Sequence, residues 1–176
     1  CYLNFMKLIN YLIIFSILAI NVAISKEKPP FKNILVLDKP KAYKEIIFQD
    51  RDGNKLDLNQ INLNQIYILN FWATWCAPCK DEMPSLDKLQ AKEGISVYPI
   101  NMEEKNINNT DKFYKDLNIK NLNTYFDEGL KLVKVFALRG VPTTIILNKN
   151  KEMVARISGS IDFEDEKFIS WLNSIR

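Results

Sequence analysis

Two cysteines separated by two residues, Cys76-Ala77-Pro78-Cys79, are the side chains of this sequence best suited to covalent chemistry. Thiols at this spacing can close a short disulfide or stay open as a dithiol, so the pair reads as a redox switch. The flanking sequence supplies a setting for it. Residues 67–72, Tyr-Ile-Leu-Asn-Phe-Trp, form a short, aromatic-rich apolar run bounded by polar residues, as expected of a buried strand. A helical pattern follows the second cysteine. Cys76 is therefore expected near a helix N-terminus, where unpaired N–H groups and the helix dipole favour an anion. A thiolate so placed ionises in the range of roughly 3.5–7.5 instead of near 8.5, and its sulfur is expected to be open to solvent. Two other readings of the pair stand beside the switch. A structural disulfide is one, although so short a loop restrains the unfolded chain little. A metal site is the other. It needs two more ligands, and the chain has no histidine and no second cysteine pair.

The run Phe71-Trp72-Ala73-Thr74-Trp75-Cys76-Ala77-Pro78-Cys79 resembles a thioredoxin-fold active site. Its continuation, Lys80-Asp81-Glu82-Met83-Pro84, resembles the extracytoplasmic TlpA/ResA-like branch, with the signature WCxPCxxExP. Gly140-Val141-Pro142-Thr143-Thr144 is similar to that family's cis-proline loop. The resemblance covers residues 44–176. It implies an α/β, thioredoxin-like three-layer fold: a central mixed sheet with helices on both faces, an N-terminal β-hairpin and a central insertion.

The resemblance also assigns roles. Cys76 becomes the nucleophile of thiol–disulfide exchange and Cys79 the resolving thiol. Glu82 becomes a carboxylate beneath the dithiol, tuning the cysteines or moving a proton to and from Cys79. The alternative is a solvated helix residue or a first-turn partner of the helix dipole. Where thioredoxins themselves carry a buried Asp, this chain has Asn70, which cannot titrate. Pro142 is implied to be cis and to pack on the disulfide, turning Val141 towards the cysteines so that, with Thr143, it can bind an extended substrate. An ordinary trans-proline turn is the alternative. Trp75 is expected to shield one side of Cys76 and, with Ala77 and Pro78, to face substrate, whereas Phe71 and Trp72 belong to the core. No cofactor beyond the Cys76–Cys79 disulfide, and no metal, is expected.

Other elements must position these residues. A helix is predicted over 81–92, with Met83, Leu86 and Leu89 on one face, Gly94 as its stop and a kink at Pro84. Strands are expected over 96–101, 124–126, 145–147 and 153–157, the last two as a hairpin. Helices are expected over 110–117, capped by Asn109 or Thr110, over 130–136, and at the C-terminus behind Asp162. Residues 46–48 and 55–58 flank an Asp-Gly turn and read as a hairpin covering a sheet edge. Between Cys79 and Pro142 there is room for two helical crossovers and an extra strand.

Residues 1–25 read as a signal peptide or membrane anchor: Lys7 precedes an apolar run, and Ala23-Ile24-Ser25 offers small residues for cleavage. Cys1 is taken as incidental. Residues 26–41, with Pro29-Pro30, read as a linker, and 42–176 as the thioredoxin-like domain. A net charge of +3 with interspersed signs gives no basic stripe for nucleic acid. The expected protein is an extracytoplasmic thiol–disulfide oxidoreductase, in the periplasm or on the outer face of a bacterial inner membrane. As the resemblance implies, it is a monomer that reduces disulfides of proteins such as apocytochrome c and is recharged by a membrane electron-donor protein. A disulfide-forming oxidase or isomerase, or a redox-inert peptide-binding module, are the alternatives.

Overall fold

The computed structural model describes residues 28–175, so the leader and Cys1 lie outside the described part. In chain order the elements are β1 (Ile34–Lys41), β2 (Ile47–Asp50), β3 (Lys55–Asp57), β4 (Ile66–Trp72), α1 (Ala77–Gln90), β5 (Ile95–Asn101), α2 (Ile107–Asp116), β6 (Tyr125–Phe126), α3 (Lys131–Val135), β7 (Thr143–Leu147), β8 (Met153–Ser158) and α4 (Glu166–Ser174).

Every residue of β4 is buried, as its continuous apolar run demands. Strand alternation sends Tyr67, Leu69 and Phe71 to one face, where they meet Phe48, Tyr98 and Phe136. Ile68 and Trp72 point to the other, against Met83, Leu86 and Phe168. Each such side chain, fully buried, stabilises the fold by about 1.5–3 kcal/mol, so β4 is clamped from both sides. Asn70, two residues from Ile68 and Trp72, falls on the α1 face, a polar group in an apolar layer.

The strands form one mixed sheet in the order β1-β8-β7-β4-β5-β6-β2-β3. β4, β5 and β6 run parallel, so the ends of β4 and β5 open on the same edge of the sheet. β7 runs antiparallel to β4, pairing Phe71 with Thr143 and Asn70 with Thr144. That register brings residues 140–144 beside the exit of β4. The 46–58 hairpin extends the sheet beyond β6, as expected of an edge cover.

Several boundaries differ from the sequence reading. Residues 34–41, expected within a linker, form β1 and pair with β8, because Ile34 alternates into the core. α1 begins at Ala77 and continues through Pro84. α2 begins at Ile107, capped by Asn106, whose side chain accepts the Asn109 N–H. The 130–136 helix shrinks to five residues, held at its start by Asp127, which accepts the N–H groups of Leu132 and Val133 at 3.0 Å each. α4 is capped by Asp165, not Asp162.

Candidate active site

Cys76 is the N-cap of α1: its backbone is extended (φ −82°, ψ 106°) and its Sγ accepts the Cys79 N–H at 3.2 Å. Pro78 follows in the first turn, where a missing N–H leaves no helical bond unmade. Cys76 and Cys79 are joined in a disulfide, with their Cα atoms 5.3 Å apart. The expected open sulfur is corrected here: Cys76 is only 4% exposed and Cys79 is fully buried. Bonding to Cys79 and capping the helix both turn the Cys76 sulfur back over the first turn instead of outward. The neighbours supply the accessible surface. Trp75 is 71% exposed, and Ala77 and Pro78 are exposed beside it, so exposed residues flank a disulfide that is itself almost wholly buried.

Glu82 follows Cys79 by three residues and shares the buried face of α1, at 2% exposure. This rules out the solvated reading. Asn70 Nδ2 donates to Glu82 Oε1 at 2.8 Å, and the Ile161 N–H reaches Oε2 at 3.4 Å. None of the ion pairs among the described residues involves it. Burial pushes the Glu82 carboxyl up to about 7, against the smaller lowering effect of the two hydrogen bonds. A carboxyl at that value can take up and release a proton near neutrality.

The Val141–Pro142 bond is cis. Val141 is half-buried and packs on the cluster that contains both cysteines; Pro142 is buried and its carbonyl accepts the Gly159 N–H at 2.9 Å. Thr143 is buried, and its hydroxyl donates to the Gly140 carbonyl at 2.7 Å, so its side chain braces the loop internally. Phe71 and Trp72 are core residues, Trp72 packing on Phe113 and Tyr114 with ring centroids 4.5 and 5.7 Å away.

Three neighbours escaped the sequence reading. Asn70, noted there only for its inability to titrate, also donates to Thr144 Oγ1 at 2.9 Å, tying α1 to the strand that carries the proline loop. Its Oδ1 is buried without a partner. The signal was legible: Asn70 is the one amide in an apolar strand, and alternation puts it on the α1 face. Thr144 gave none. The third, Glu103, accepts hydrogen bonds from Thr74 in the loop that delivers Cys76. It gave no signal either, because that contact depends on β5 lying parallel beside β4.

A parallel β4–β5 pair, a Cys-x-x-Cys pair capping the following helix and a cis-proline loop beside it define a thioredoxin fold. The chain belongs to the AhpC/TSA family, which matches residues 40–156. It is similar to the thiol-disulfide oxidoreductase ResA of Halalkalibacterium halodurans, with 28% identity over 118 residues; the match spans 65% of each chain, a little under two thirds of the relative's length. This agrees with the TlpA/ResA-like resemblance of the motifs. Among solved structures, the secreted thiol-disulfide isomerase of Corynebacterium glutamicum superposes with a TM-score of 0.67 and 23% identity, covering 85% of this chain and 96% of its own. The exposed lipoprotein thioredoxin of Streptococcus pneumoniae superposes with a TM-score of 0.60 and 23% identity, covering 74% and 98%. Both share the fold.

Proposed function

We propose that this chain is a thiol–disulfide oxidoreductase that reduces disulfides of extracytoplasmic proteins. The observation that carries this reading is the Cys76–Cys79 disulfide at a helix N-terminus with a titratable carboxyl, Glu82, buried on the same helix face. In the reduced protein, the Cys76 thiolate attacks one sulfur of a substrate disulfide. The substrate S–S bond breaks, the leaving sulfur takes a proton, and a mixed disulfide forms at Cys76. Glu82 accepts the Cys79 proton, and the Cys79 thiolate attacks Cys76 Sγ. That step closes the Cys76–Cys79 bond and expels the second substrate sulfur as a thiolate, which takes up the proton that Glu82 releases. Two electrons and two protons have then passed to substrate. Trp75, Ala77 and Pro78 form the rim over which the substrate lies, and Val141 offers its backbone from the cis-Pro142 loop, which Thr143 braces.

A membrane electron-donor protein returns the site to the dithiol state. The setting is the periplasm or the outer face of a bacterial inner membrane, reached through residues 1–25 as signal peptide or anchor; apocytochrome c is one substrate of the expected type. Support for the setting comes from the apolar leader and from relatives whose own names describe them as secreted or exposed. Reductive turnover of insulin with dithiothreitol as electron source tests the reading. Wild type is expected to turn over and Cys76→Ala to fall to background; equal, negligible turnover in both overturns it in favour of a redox-inert binding module. A Cys76–Cys79 potential near about −120 mV, instead of below about −200 mV, would reverse the direction to oxidation.

A further inference from the structure

Glu103 lies just past the end of β5, beside the loop that connects β4 to α1. Its Oε2 accepts the Thr74 N–H at 2.6 Å and its Oε1 accepts the Thr74 hydroxyl at 3.0 Å. Each carboxylate oxygen thus accepts a hydrogen bond from one residue, two positions before Cys76. Glu103 is itself held. Asn101, 1% exposed, accepts the Glu103 N–H at 2.7 Å and donates Nδ2 to Oε2 at 3.3 Å. The Met102 N–H donates to the Trp72 carbonyl at 3.0 Å, so residues 101–103 grip residues 72–74 along their length. The Cys76 N–H then donates to the Ala73 carbonyl at 3.2 Å, passing the constraint to the nucleophile. A brace of this kind needs hydrogen-bond acceptors; it does not need a charge. A carboxylate was placed there all the same.

We propose that Glu103 is a positioning residue of the dithiol site, fixing the Thr74–Trp75 approach to Cys76 and, through its negative charge, opposing the Cys76 thiolate. This rests on the oxidoreductase reading and adds a direction to it. The helix N-terminus stabilises a thiolate, whereas a neighbouring anion of like sign destabilises it. A less stable thiolate makes the reduced form a better electron donor, so Glu103 biases the site towards reduction. The other charged groups around it are Glu104 and Lys105 on its own loop, Asp127 and Glu128 across a cavity of about 470 Å³ that Glu103 also lines, and Lys80, Lys112 and Asp116, which share a neighbouring cavity with Thr74. Glu82 lies in the interior, on the buried face of α1. Among these carboxylates, Glu103 alone is hydrogen-bonded to the loop entering Cys76.

The test is a titration of Cys76 by the pH dependence of its alkylation, read by peptide mass mapping in the reduced full chain, with Glu103→Gln, Thr74→Val and wild type compared. Glu103→Gln keeps an acceptor for Thr74 and removes the charge. It is expected to lower the Cys76 pKa by about half a unit or more, and to shift the thiol–disulfide equilibrium several-fold towards the reduced form against a glutathione buffer. Thr74→Val removes one arm of the brace and keeps the charge. It is expected to leave the Cys76 pKa in place and to raise the KM for a disulfide peptide several-fold. A folded Glu103→Gln protein with the wild-type thiol pKa and equilibrium overturns the proposal. So does a Thr74→Val protein whose thiol pKa falls as far as that of Glu103→Gln, since position and not charge would then set it. A wild type without turnover overturns the oxidoreductase reading instead, and the titration still decides the role of Glu103.

Discussion

Replacing Glu82 with Gln should remove a pH dependence of stability that the wild-type protein carries. Burial raises this carboxyl from 4.5 to about 7 in the folded chain. The folded protein therefore holds a proton that the unfolded chain has already released across that interval. Unfolding free energy changes with pH as the difference in bound protons between the unfolded and folded states. Here the folded state binds more, so stability falls as pH rises. The contribution is fully present below 4.5, declines through the interval and is gone above about 7. Each unit is worth about 1.4 kcal/mol, which gives a loss on the order of 3 kcal/mol. Glutamine keeps an acceptor for Asn70 Nδ2 but cannot titrate, so it lacks this loss. Urea unfolding of the oxidised protein at pH values from about 4 to about 8 measures the effect, because exposed carboxylates contribute equally to both proteins and cancel in the difference. Wild type should lose about 3 kcal/mol more than Glu82→Gln over that range. Two curves that stay parallel within about 0.5 kcal/mol would refute the reasoning, since Glu82 would then ionise as an ordinary surface acid.

Other substitutions probe the surrounding structure. Asn70→Asp puts a second carboxyl at the 2.8 Å contact with Glu82; two charges cannot both form there, so the pair should share a proton and the higher inflection of the pH–rate profile should move up by about a unit or more. An unchanged profile would show that Asn70 does not act on Glu82. Asp87, 6% exposed, accepts the backbone N–H groups of Lys120, Asn121 and Leu122 and the Asn121 side chain, pinning the segment after α2 to α1. Asp87→Ala should cost about 3 kcal/mol and lower Tm by roughly 10 °C, with turnover retained at low temperature; a change below about 0.5 kcal/mol would mean that the clamp is dispensable. Trp75→Ala, at a site 71% exposed, should leave stability within about 0.5 kcal/mol and raise KM for a disulfide peptide. A large loss of stability would place Trp75 in the fold and not on the substrate rim.

Local sequence chemistry carried most of the fold. The apolar run over 67–72 and the paired cysteines behind it revealed a buried strand turning into a helix, and the resemblance of residues 140–144 to a cis-proline loop marked the loop beside it. Glu82 was legible through the family resemblance; the three-residue spacing from Cys79 gave a nearby helix face but not burial. What stayed hidden were relations that exist only across strands. Thr144 matters because β7 pairs it with Asn70, and Glu103 because β5 ends beside Thr74. β1 was lost because only Ile34 among its residues is buried, which left a strand that reads like a linker. The caps at Asn106 and Asp165 were misplaced because several Asn and Asp residues crowd both helix starts and any of them could accept the free N–H groups. The low exposure of Cys76 followed from its bond to Cys79, which alters where the sulfur points without altering the sequence signal.

The central claim is that Cys76, despite being only 4% exposed, is the sulfur that meets substrate. Capture decides it. Reduced Cys79→Ala protein, mixed with a disulfide-bonded peptide and quenched in acid, should carry the peptide as a mixed disulfide mapped by mass to Cys76. Absence of any adduct at Cys76 under conditions where wild type reduces the same peptide would contradict the assignment of that residue as nucleophile.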